Sequence, residues 1–309
     1  MKHHWPRDII YQERTSQDMP LDQAHEHERL QNERSEMTFF EHINELRLHI
    51  LRSVLAIVIV GAACFININW VFERVIFGPR NADFPTYRTI CWLSNIMGFG
   101  DKMCFQPPQF KIITRALGEV LMQQIYVAFW LGFIGAFPFI FWEFWRFVSP
   151  GLHAAEQRAV RGIVFVCTAL FLAGVAFGYF VIAPFSISFL GGYTMEGMEV
   201  SPTLDSYVTY MTMFTLPTGL IFEMPIVAYF FTKIGLLGAQ FLRTYRRHAV
   251  VLVVVIAAVI TPPDVVSQVL VSIPLMILYE VSIGVAARVQ RNRERELEAR
   301  ERKDRARLE

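Results

Sequence analysis

One stretch of the chain reads Ala249-Val-Val-Leu-Val-Val-Val-Ile-Ala-Ala-Val-Ile260, and it stops at Thr261-Pro-Pro-Asp264. This apolar run is too short to cross the hydrocarbon core of a bilayer, which takes about 20 helical residues. A second apolar stretch, Val265–Ala286, follows the two prolines and contains Gln268 and Glu280. A segment that served only as an anchor would be longer and would lack polar side chains. We therefore predict a hairpin of two short membrane helices, with polar groups and a thinned bilayer beside it.

Composition places the rest of the chain in the same environment. Hydrophobic residues make up 53% of the 309 residues and charged residues only 18%. The mean hydropathy is +0.34, and the charges collect in the ends and connectors. This pattern is typical of a polytopic helical membrane protein, so the predicted fold class is all-α. The net charge of +1 carries no information about nucleic-acid partners, because the acidic and basic parts lie in different compartments, and no such partner is predicted.

Six membrane spans are predicted from the apolar segments, the first four matched to the bilayer and the last two short. They are Ile50–Trp70, Val120–Phe141, Gly162–Phe185, Tyr207–Phe231, Ala249–Ile260 and Val265–Ala287. The first span begins behind a long charged tail, so we expect it to insert without cleavage of a signal peptide.

The ends of the chain carry most of the charge. Residues 1–37 predict a disordered cytoplasmic tail, because they hold few large apolar groups. Thr38 with Glu41 three residues later forms a capping box, which predicts that a short interfacial helix starts at Thr38. The predicted domains are this tail, a membrane domain over residues 38–288 and a charged cytoplasmic tail over residues 289–309.

Charge in the connectors predicts the orientation. Arg146–Arg161 and Lys233–Arg247 are basic, whereas Gly191–Asp205 is acidic and has no basic residue. By the positive-inside rule, the two basic connectors and both chain termini lie in the cytoplasm. The connector Phe72–Glu119 is then extracytoplasmic although it carries basic residues, which long loops tolerate.

Two cysteines, Cys91 and Cys104, fall in this long connector, on the oxidising side of the membrane. We predict a disulfide between them, worth on the order of 3 kcal/mol for a loop of this size. Two free or buried thiols remain the alternative. Cys64 and Cys167 lie in apolar spans and are expected to be packing residues.

Carboxylates inside apolar helices are costly, which makes Glu223 informative. It lies in the fourth span two residues before Pro225, which interrupts the backbone hydrogen bonds there. We predict a functional polar contact for Glu223, and a pairing within the helix bundle is the alternative. On the cytoplasmic side, Glu45 and Glu156 place two carboxylates on one face of the membrane. Such a pair could accept guanidinium groups through bidentate hydrogen bonds.

Motifs of nucleotide-driven transport and of hydrolysis are absent from the sequence: there is no phosphate loop, no H-E-x-x-H, no G-x-S-x-G and no C-x-x-C. We predict no enzyme activity, no cofactor and no metal. Any transport would draw its energy from a partner or from the membrane gradient.

Four ordered motifs give the chain a family resemblance. It resembles TatC, the polytopic core subunit of the twin-arginine protein translocase. The motifs are Phe39…His42-Ile-Asn-Glu45-Leu-Arg47, Pro138…Trp145-Arg-Phe147-Val-Ser-Pro150-Gly-Leu152…Glu156, Phe222-Glu223-Met-Pro225, and Thr261-Pro-Pro-Asp264…Gln268…Pro274…Leu278-Tyr-Glu280.

The resemblance implies a cup-shaped protein of six helices, open to the cytoplasm of a bacterium and embedded in its inner membrane. It further implies a receptor for signal peptides with paired arginines, which belongs to a system that exports folded proteins with the proton-motive force. By motif position, the implied signal-peptide residues are Glu45, Arg47, Phe147, Pro150, Leu152 and Glu156.

The same resemblance assigns the intramembrane polar residues. Glu223 would face the concave interior, and Thr261, Asp264 and Gln268 would belong to a hairpin where single-span partners of the TatA/TatB type dock. Membrane lipid and further copies of the chain are also implied as neighbours within the complex.

Two other functions would share some of these residues or need others. A secondary transporter for a small solute would share the intramembrane glutamate and the proline-interrupted hairpin, but a matching interrupted pair in the other half is missing. A membrane-embedded enzyme would need a nucleophile with its base or a metal-ligand set, and the sequence offers neither.

Overall fold

A computed structural model describes residues 21–98, 104, 107, 110–148, 160–195, 200–261 and 265–308. All regular elements of these residues are helical, apart from an isolated bridge between Ile113 and Thr203. The predicted all-α class is therefore confirmed. The chain divides into two compact units, one ending at Leu51 and one beginning at Arg52.

The first unit contains the start of helix α1, which runs from Leu21 to Ile66 and continues into the second unit. The helix start predicted at Thr38 is wrong, because the helix passes through that residue without a break. Glycine and proline are absent from Leu21 to Val60, and the segment is rich in Glu, Arg and Leu, which favour helix. A capping pattern alone does not end the helix that precedes it.

Among the described residues, the second unit contains ten further α-helices. A π-helical turn at Phe72–Ile76 and a 3-10 turn at Gly78–Arg80 follow α2, and a second π-helical turn at Gly178–Ile182 joins α5 to α6. The helices are α2 Ile68–Val71, α3 Pro85–Ile96, α4 Glu119–Val148, α5 Val160–Phe177, α6 Ala183–Gly192, α7 Leu204–Phe222, α8 Met224–Lys233, α9 Ala239–Thr244, α10 Arg246–Ile260 and α11 Val265–Leu308.

Five helical segments of the described chain are long and apolar enough to cross a membrane: Ile43–Ile66, Glu119–Phe147, Gly162–Gly192, Leu204–Lys233 and Ser267–Lys303. Helix α10 has 15 residues, which is about 22 Å of rise and less than the roughly 30 Å of a hydrocarbon core. The prediction of a short helix is therefore confirmed for α10, the first of the last two predicted spans. Helix α11 has 44 residues and is not short, because its charged tail is also composed of helix-forming residues.

A break between α7 and α8 positions Glu223. Pro225 has no backbone N–H and is accommodated in the first turn of a new helix, so α7 ends at Phe222 and α8 starts at Met224. The Glu223 N–H donates to the Leu220 carbonyl at 3.2 Å, and the Glu223 carbonyl accepts from the Ile226 N–H at 2.9 Å. Glu223 is thus held at the joint between two helices.

Helices α4, α5 and α7 pack together beside this joint. The rings of Phe137 on α4 and Phe171 on α5 stack with centroids 3.6 Å apart. Gly174 and Gly219 bring α5 and α7 into close approach, because a Cβ on Gly174 would lie only 2.8 Å from the Gly219 Cα. This packing fixes the distance between the Glu223 joint and α5.

The connector between α1 and α4 packs on the π-helical turn after α5. Phe84 stacks on Phe180, with ring centroids 5.6 Å apart, and the Tyr87 hydroxyl donates to the Pro79 carbonyl at 2.8 Å. The sulfur atoms of Cys91 and Cys104 are bonded in this segment, with their Cα atoms 4.7 Å apart.

Candidate functional site

The carboxyl group of Glu223 is enclosed by protein. Glu223 is 8% exposed, and its neighbours on α5 are the Cys167 thiol and the Phe171 backbone, both residues being fully buried. Neither carboxyl oxygen has a hydrogen-bond partner of normal geometry among the described residues. Burying a polar group without a hydrogen bond costs free energy. The Glu223 carboxyl group is therefore an unsatisfied buried acceptor, and a hydrogen-bond donor placed beside it would stabilise it.

This geometry bears on the two interpretations of Glu223. Pairing within the bundle would place a cationic or amide side chain on the carboxyl group, and none of the described side chains of that kind hydrogen-bonds to it. The observation favours a contact that another molecule completes. Other buried polar atoms in the same state are the Thr168 hydroxyl, next to Cys167, the Gln123 Oε1 atom, and the indole N–H groups of Trp130 and Trp145.

The predicted signal-peptide residues are placed only in part. Glu45 and Arg47 are exposed on α1 within the first unit, and Phe147 is half-buried near the end of α4. Pro150, Leu152 and Glu156 lie outside the described residues. Recognition of arginines by Glu45 together with Glu156 therefore stays a prediction.

In the hairpin, the side chains of Thr261 and Gln268 both donate hydrogen bonds to backbone carbonyls of α10. The Thr261 hydroxyl is buried and donates to the Ala257 carbonyl at 2.8 Å. The side-chain amide of Gln268, which is half-buried, donates to the Val254 carbonyl of α10 at 3.3 Å. Gln268 thus ties α11 to the short helix, and Asp264 lies outside the described residues.

Helix α10 presents an apolar surface away from the bundle. Val253, Ala257 and Ile260 are buried on one side. The opposite side is exposed and consists of large aliphatic side chains: Val251, Leu252, Val255 and Val259. An apolar helix face of this kind suits contact with lipid or with another transmembrane helix.

Glu143 on α4 is a polar feature absent from the predicted site residues. It is 3% exposed, and its two carboxyl oxygens face different arginines. Arg52 Nη1 lies 3.8 Å from Oε2, and Arg146 Nη1 lies 3.9 Å from Oε1. The signal in the sequence was a single carboxylate within the aromatic run Trp142–Phe147, beyond Phe141, where the second span was predicted to end.

An apolar pocket also escaped prediction. It has a volume of about 310 Å³ and lies between α4, α5 and α7, with Val75 and Ile76 along one side. Its hydroxyl groups are already engaged: Thr212 donates to the Val208 carbonyl and Thr215 to the Met211 carbonyl. A pocket of this chemistry has room for a hydrocarbon group. Its lining also includes Trp130, whose indole N–H has no hydrogen-bond partner among the described residues.

Within the described residues, no group of three His, Cys, Asp or Glu side chains could hold a metal ion.

Comparison with known proteins gives a consistent result. The family model described as "Sec-independent protein translocase protein (TatC)" matches residues 41–274. A protein named "Sec-independent protein translocase protein TatC" from Blattabacterium sp. subsp. Periplaneta americana is 38% identical over 268 residues, which cover 85% of this chain and 100% of that protein. A protein of the same name from Desulforapulum autotrophicum is 35% identical over 260 residues, with 84% and 87% coverage.

Two solved structures are similar as well. A chain described as "Crystal Structure of Twin Arginine Translocase Receptor- TatC" has 31% identity and a TM-score of 0.61, and the match covers 79% of this chain and 97% of that one. A second crystal structure of that receptor, in DDM, has 31% identity and a TM-score of 0.62, with 79% and 99% coverage.

Proposed function

The chain belongs to the TatC family of Sec-independent protein translocases, and from this premise we propose that it is the membrane receptor for twin-arginine signal peptides. Membership makes the protein a translocase component and not an enzyme. The similar crystal structures are described as a twin-arginine translocase receptor, which supports the same role here.

The observation that carries the proposal is the buried carboxyl group of Glu223. It lies at a helix joint inside a membrane bundle, and neither of its oxygens has a hydrogen bond of normal geometry among the described residues. A group that is costly to bury is retained where another chain supplies its partner. We assign that partner to the signal peptide or to a helix that follows it into the membrane.

Recognition of the paired arginines is assigned to the cytoplasmic side. Glu45 and Glu156 would accept the guanidinium groups, and Arg47, Phe147, Pro150 and Leu152 would flank them. A guanidinium group presents a planar fork of donors that matches a carboxylate, whereas a lysine ammonium group acts as a point charge. The receptor should therefore distinguish arginine from lysine at equal peptide charge.

Assembly is assigned to the hairpin. Single-span proteins of the TatA/TatB type would dock along the exposed face of α10, near Gln268, Thr261 and Asp264. The Gln268 amide N–H bonds to Val254, so its carbonyl oxygen is the group left to receive a donor from a partner helix. A short α10 would thin the bilayer locally, where partners gather.

The remaining features of the proposal complete the topology. We count α10 as a sixth span, which places both termini in the cytoplasm of a bacterium and the protein in its inner membrane. With its partners, lipid and further copies of itself, it would export folded proteins at the expense of the proton-motive force. No observed feature favours the alternative of a small-solute transporter over this role.

The test is binding of two signal peptides to the full-length protein in lipid nanodiscs. The peptides are identical except for Arg-Arg or Lys-Lys at the paired position. We expect the Arg-Arg peptide to bind at least about tenfold more tightly, the loss that follows when hydrogen bonds to charged groups are removed. Equal affinity for both peptides, or no binding of either, would contradict the proposal.

Variants locate the site within the same assay. Glu45→Ala and Glu156→Ala should each weaken the Arg-Arg peptide without changing the amount of protein in the membrane. Glu280→Gln is the matched control. Glu280 is an exposed carboxylate on α11, and its Oε2 lies 2.7 Å from Nη2 of Arg246 on α10. It should leave peptide affinity unchanged.

A further inference from the structure

Helix α3, in the connector between α1 and α4, has two different sides. Tyr87 and Ser94 are buried on one side. The other side, which we call the α3 apolar face, consists of exposed large side chains: Trp92, Leu93, Ile96 and, directly after the helix, Met97. Trp92 is 64% exposed and Ile96 is 61% exposed. Contiguous exposed apolar surface of this kind marks a contact with a membrane or with a protein.

The buried side of α3 contacts the last third of the span Gly162–Gly192. The Thr86 hydroxyl donates to the Phe180 carbonyl. The Tyr87 hydroxyl lies 3.3 Å from the Ser188 hydroxyl oxygen. Helix α3 therefore lies beside this span, between the levels of Phe180 and Ser188.

These two levels correspond to the boundary of a bilayer. Measured from Gly162, Phe180 is about 27 Å along the helix axis and Ser188 about 39 Å. The hydrocarbon core is about 30 Å thick, and the bilayer with its headgroups is about 40–45 Å thick. The contacts of α3 thus extend from the edge of the hydrocarbon into the headgroup layer.

From this placement we propose that α3 is an interfacial anchor, whose apolar face inserts into the outer leaflet between the headgroups and the acyl chains. The connector would then be attached to the membrane along this helix, in addition to the spans on either side of it. The inference goes beyond the proposed receptor function and does not rest on signal-peptide binding.

The residue types of α3 fit phospholipid. Tryptophan is enriched at the level of the headgroups, and leucine and isoleucine are the usual inserted residues of interfacial helices. Arg88 is the one charged residue of α3 and is exposed, and the long stem of arginine allows its guanidinium group to reach a phosphate. Trp70 is also exposed, four residues after the first span ends at Ile66. It would belong to the same aromatic belt.

The disulfide is compatible with an inserted face. Cys91, which is half-buried, joins α3 to Cys104. At about 100° per residue, Cys91 is about 140° from Ile96 around the helix. The bond therefore closes the connector on a different side of α3 and leaves the apolar face open.

The test is photo-cross-linking of the full-length protein in nanodiscs of one synthetic phospholipid. The photoreactive residue p-benzoylphenylalanine replaces Ile96. It replaces Ile59, which is exposed in the first span, as the positive control. It replaces Leu297 as the matched negative control, because this exposed residue lies about 48 Å along α11 from Val265, beyond the thickness of a bilayer.

Intact-mass spectrometry identifies what is attached. We expect the mass of one phospholipid to be added at Ile96 and at Ile59, and no addition above background at Leu297. A product of twice the mass of the chain would mean that a second copy covers the α3 apolar face. A cross-link within the chain would mean that the connector itself covers the face. Either product in place of the lipid adduct, or no adduct at Ile96 when Ile59 gives one, would overturn the inference.

Tryptophan fluorescence supplies a second measurement without a photoreactive residue. The emission of Trp92 is the difference between the unaltered protein and Trp92→Phe, and melting temperature and gel filtration verify the fold of the variant. Phospholipid with brominated acyl chains should quench this difference, whereas iodide in the buffer should quench little of it. Quenching by iodide and not by the brominated lipid would place Trp92 in water and would overturn the inference.

Discussion

The Cys167 thiol of α5 lies against the carboxyl group of Glu223 at the joint between α7 and α8, and both residues are buried. The thiol is a weak donor and does not satisfy the carboxyl oxygens. The buried Glu223 carboxyl group therefore lowers the stability of the fold. Replacing it should raise stability and reduce function.

We expect Glu223→Leu to raise the free energy of unfolding by about 1–3 kcal/mol, because an apolar group replaces a buried polar group that lacks a hydrogen bond. Export of a folded reporter protein should fall at the same time. Thermal melting in detergent and an export assay in cells measure the two effects. Glu143→Leu is the control: it also removes a buried carboxylate, but it strips Arg52 and Arg146 of their partner and should not stabilise the protein. A lower melting temperature for Glu223→Leu would contradict the prediction.

Gly174→Ala should destabilise the bundle by about 1–3 kcal/mol, the usual cost of overpacking. The added Cβ would lie 2.8 Å from the Gly219 Cα and would also press on the Phe222 ring, which precedes Glu223. Thermal melting measures the loss. Gly284→Ala is the matched control, because a Cβ there meets nothing within 4 Å and the residue lies inside α11. Equal melting temperatures for the two variants would refute the close approach of α5 and α7.

Cys91 and Cys104 should resist alkylation in denatured protein until a reductant is added. Cys91→Ser should lower the free energy of unfolding by about 3 kcal/mol, as expected for closing a loop of this size. Mass spectrometry of the alkylated protein and thermal melting measure both effects. Cys64→Ser, which changes a free and half-buried thiol, is the control and should cost less. Alkylation of both connector cysteines without reductant would exclude the disulfide.

Gln268→Leu should reduce copurification of a single-span partner roughly five- to tenfold, the effect of losing one hydrogen bond between membrane helices. Binding of the Arg-Arg peptide should be unaffected, because peptide recognition is assigned to the other side of the membrane. Ser272→Ala is the control on the same helix: its hydroxyl donates to the backbone carbonyl of Gln268 inside α11 and not to the Gln268 side chain. Loss of peptide binding together with the partner would contradict a separate docking site.

How far the sequence predicts this structure depends on the range of the interaction. The short α10 follows from an apolar run closed by two prolines, and the joint at Glu223 follows from Pro225. Both signals act over a few residues, and the structure has both features. The start of α1 was predicted wrongly for a related reason: the capping pattern at Thr38 is local, and the residues before it favour helix just as strongly.

Glu143 shows what could not be predicted. Its carboxyl group pairs with Arg52, which is distant along the chain. The two side chains come together because α1 packs near α4. The apolar pocket has the same origin, since its lining comes from three helices and a connector. Contacts of this kind arise from the packing of helices, so they cannot be predicted from the spacing of residues in the sequence.

Helix α11 gives one further consequence. With 44 residues it is about 66 Å long, which exceeds the full thickness of a bilayer with its headgroups. Near one end Gln268 holds α10, and about 33 Å further along the Gln290 side chain accepts the Ala239 N–H at the start of α9. One helix therefore contacts α10 near one end and the start of α9 near the other, so the hairpin and the α8–α9 corner share a single structural element.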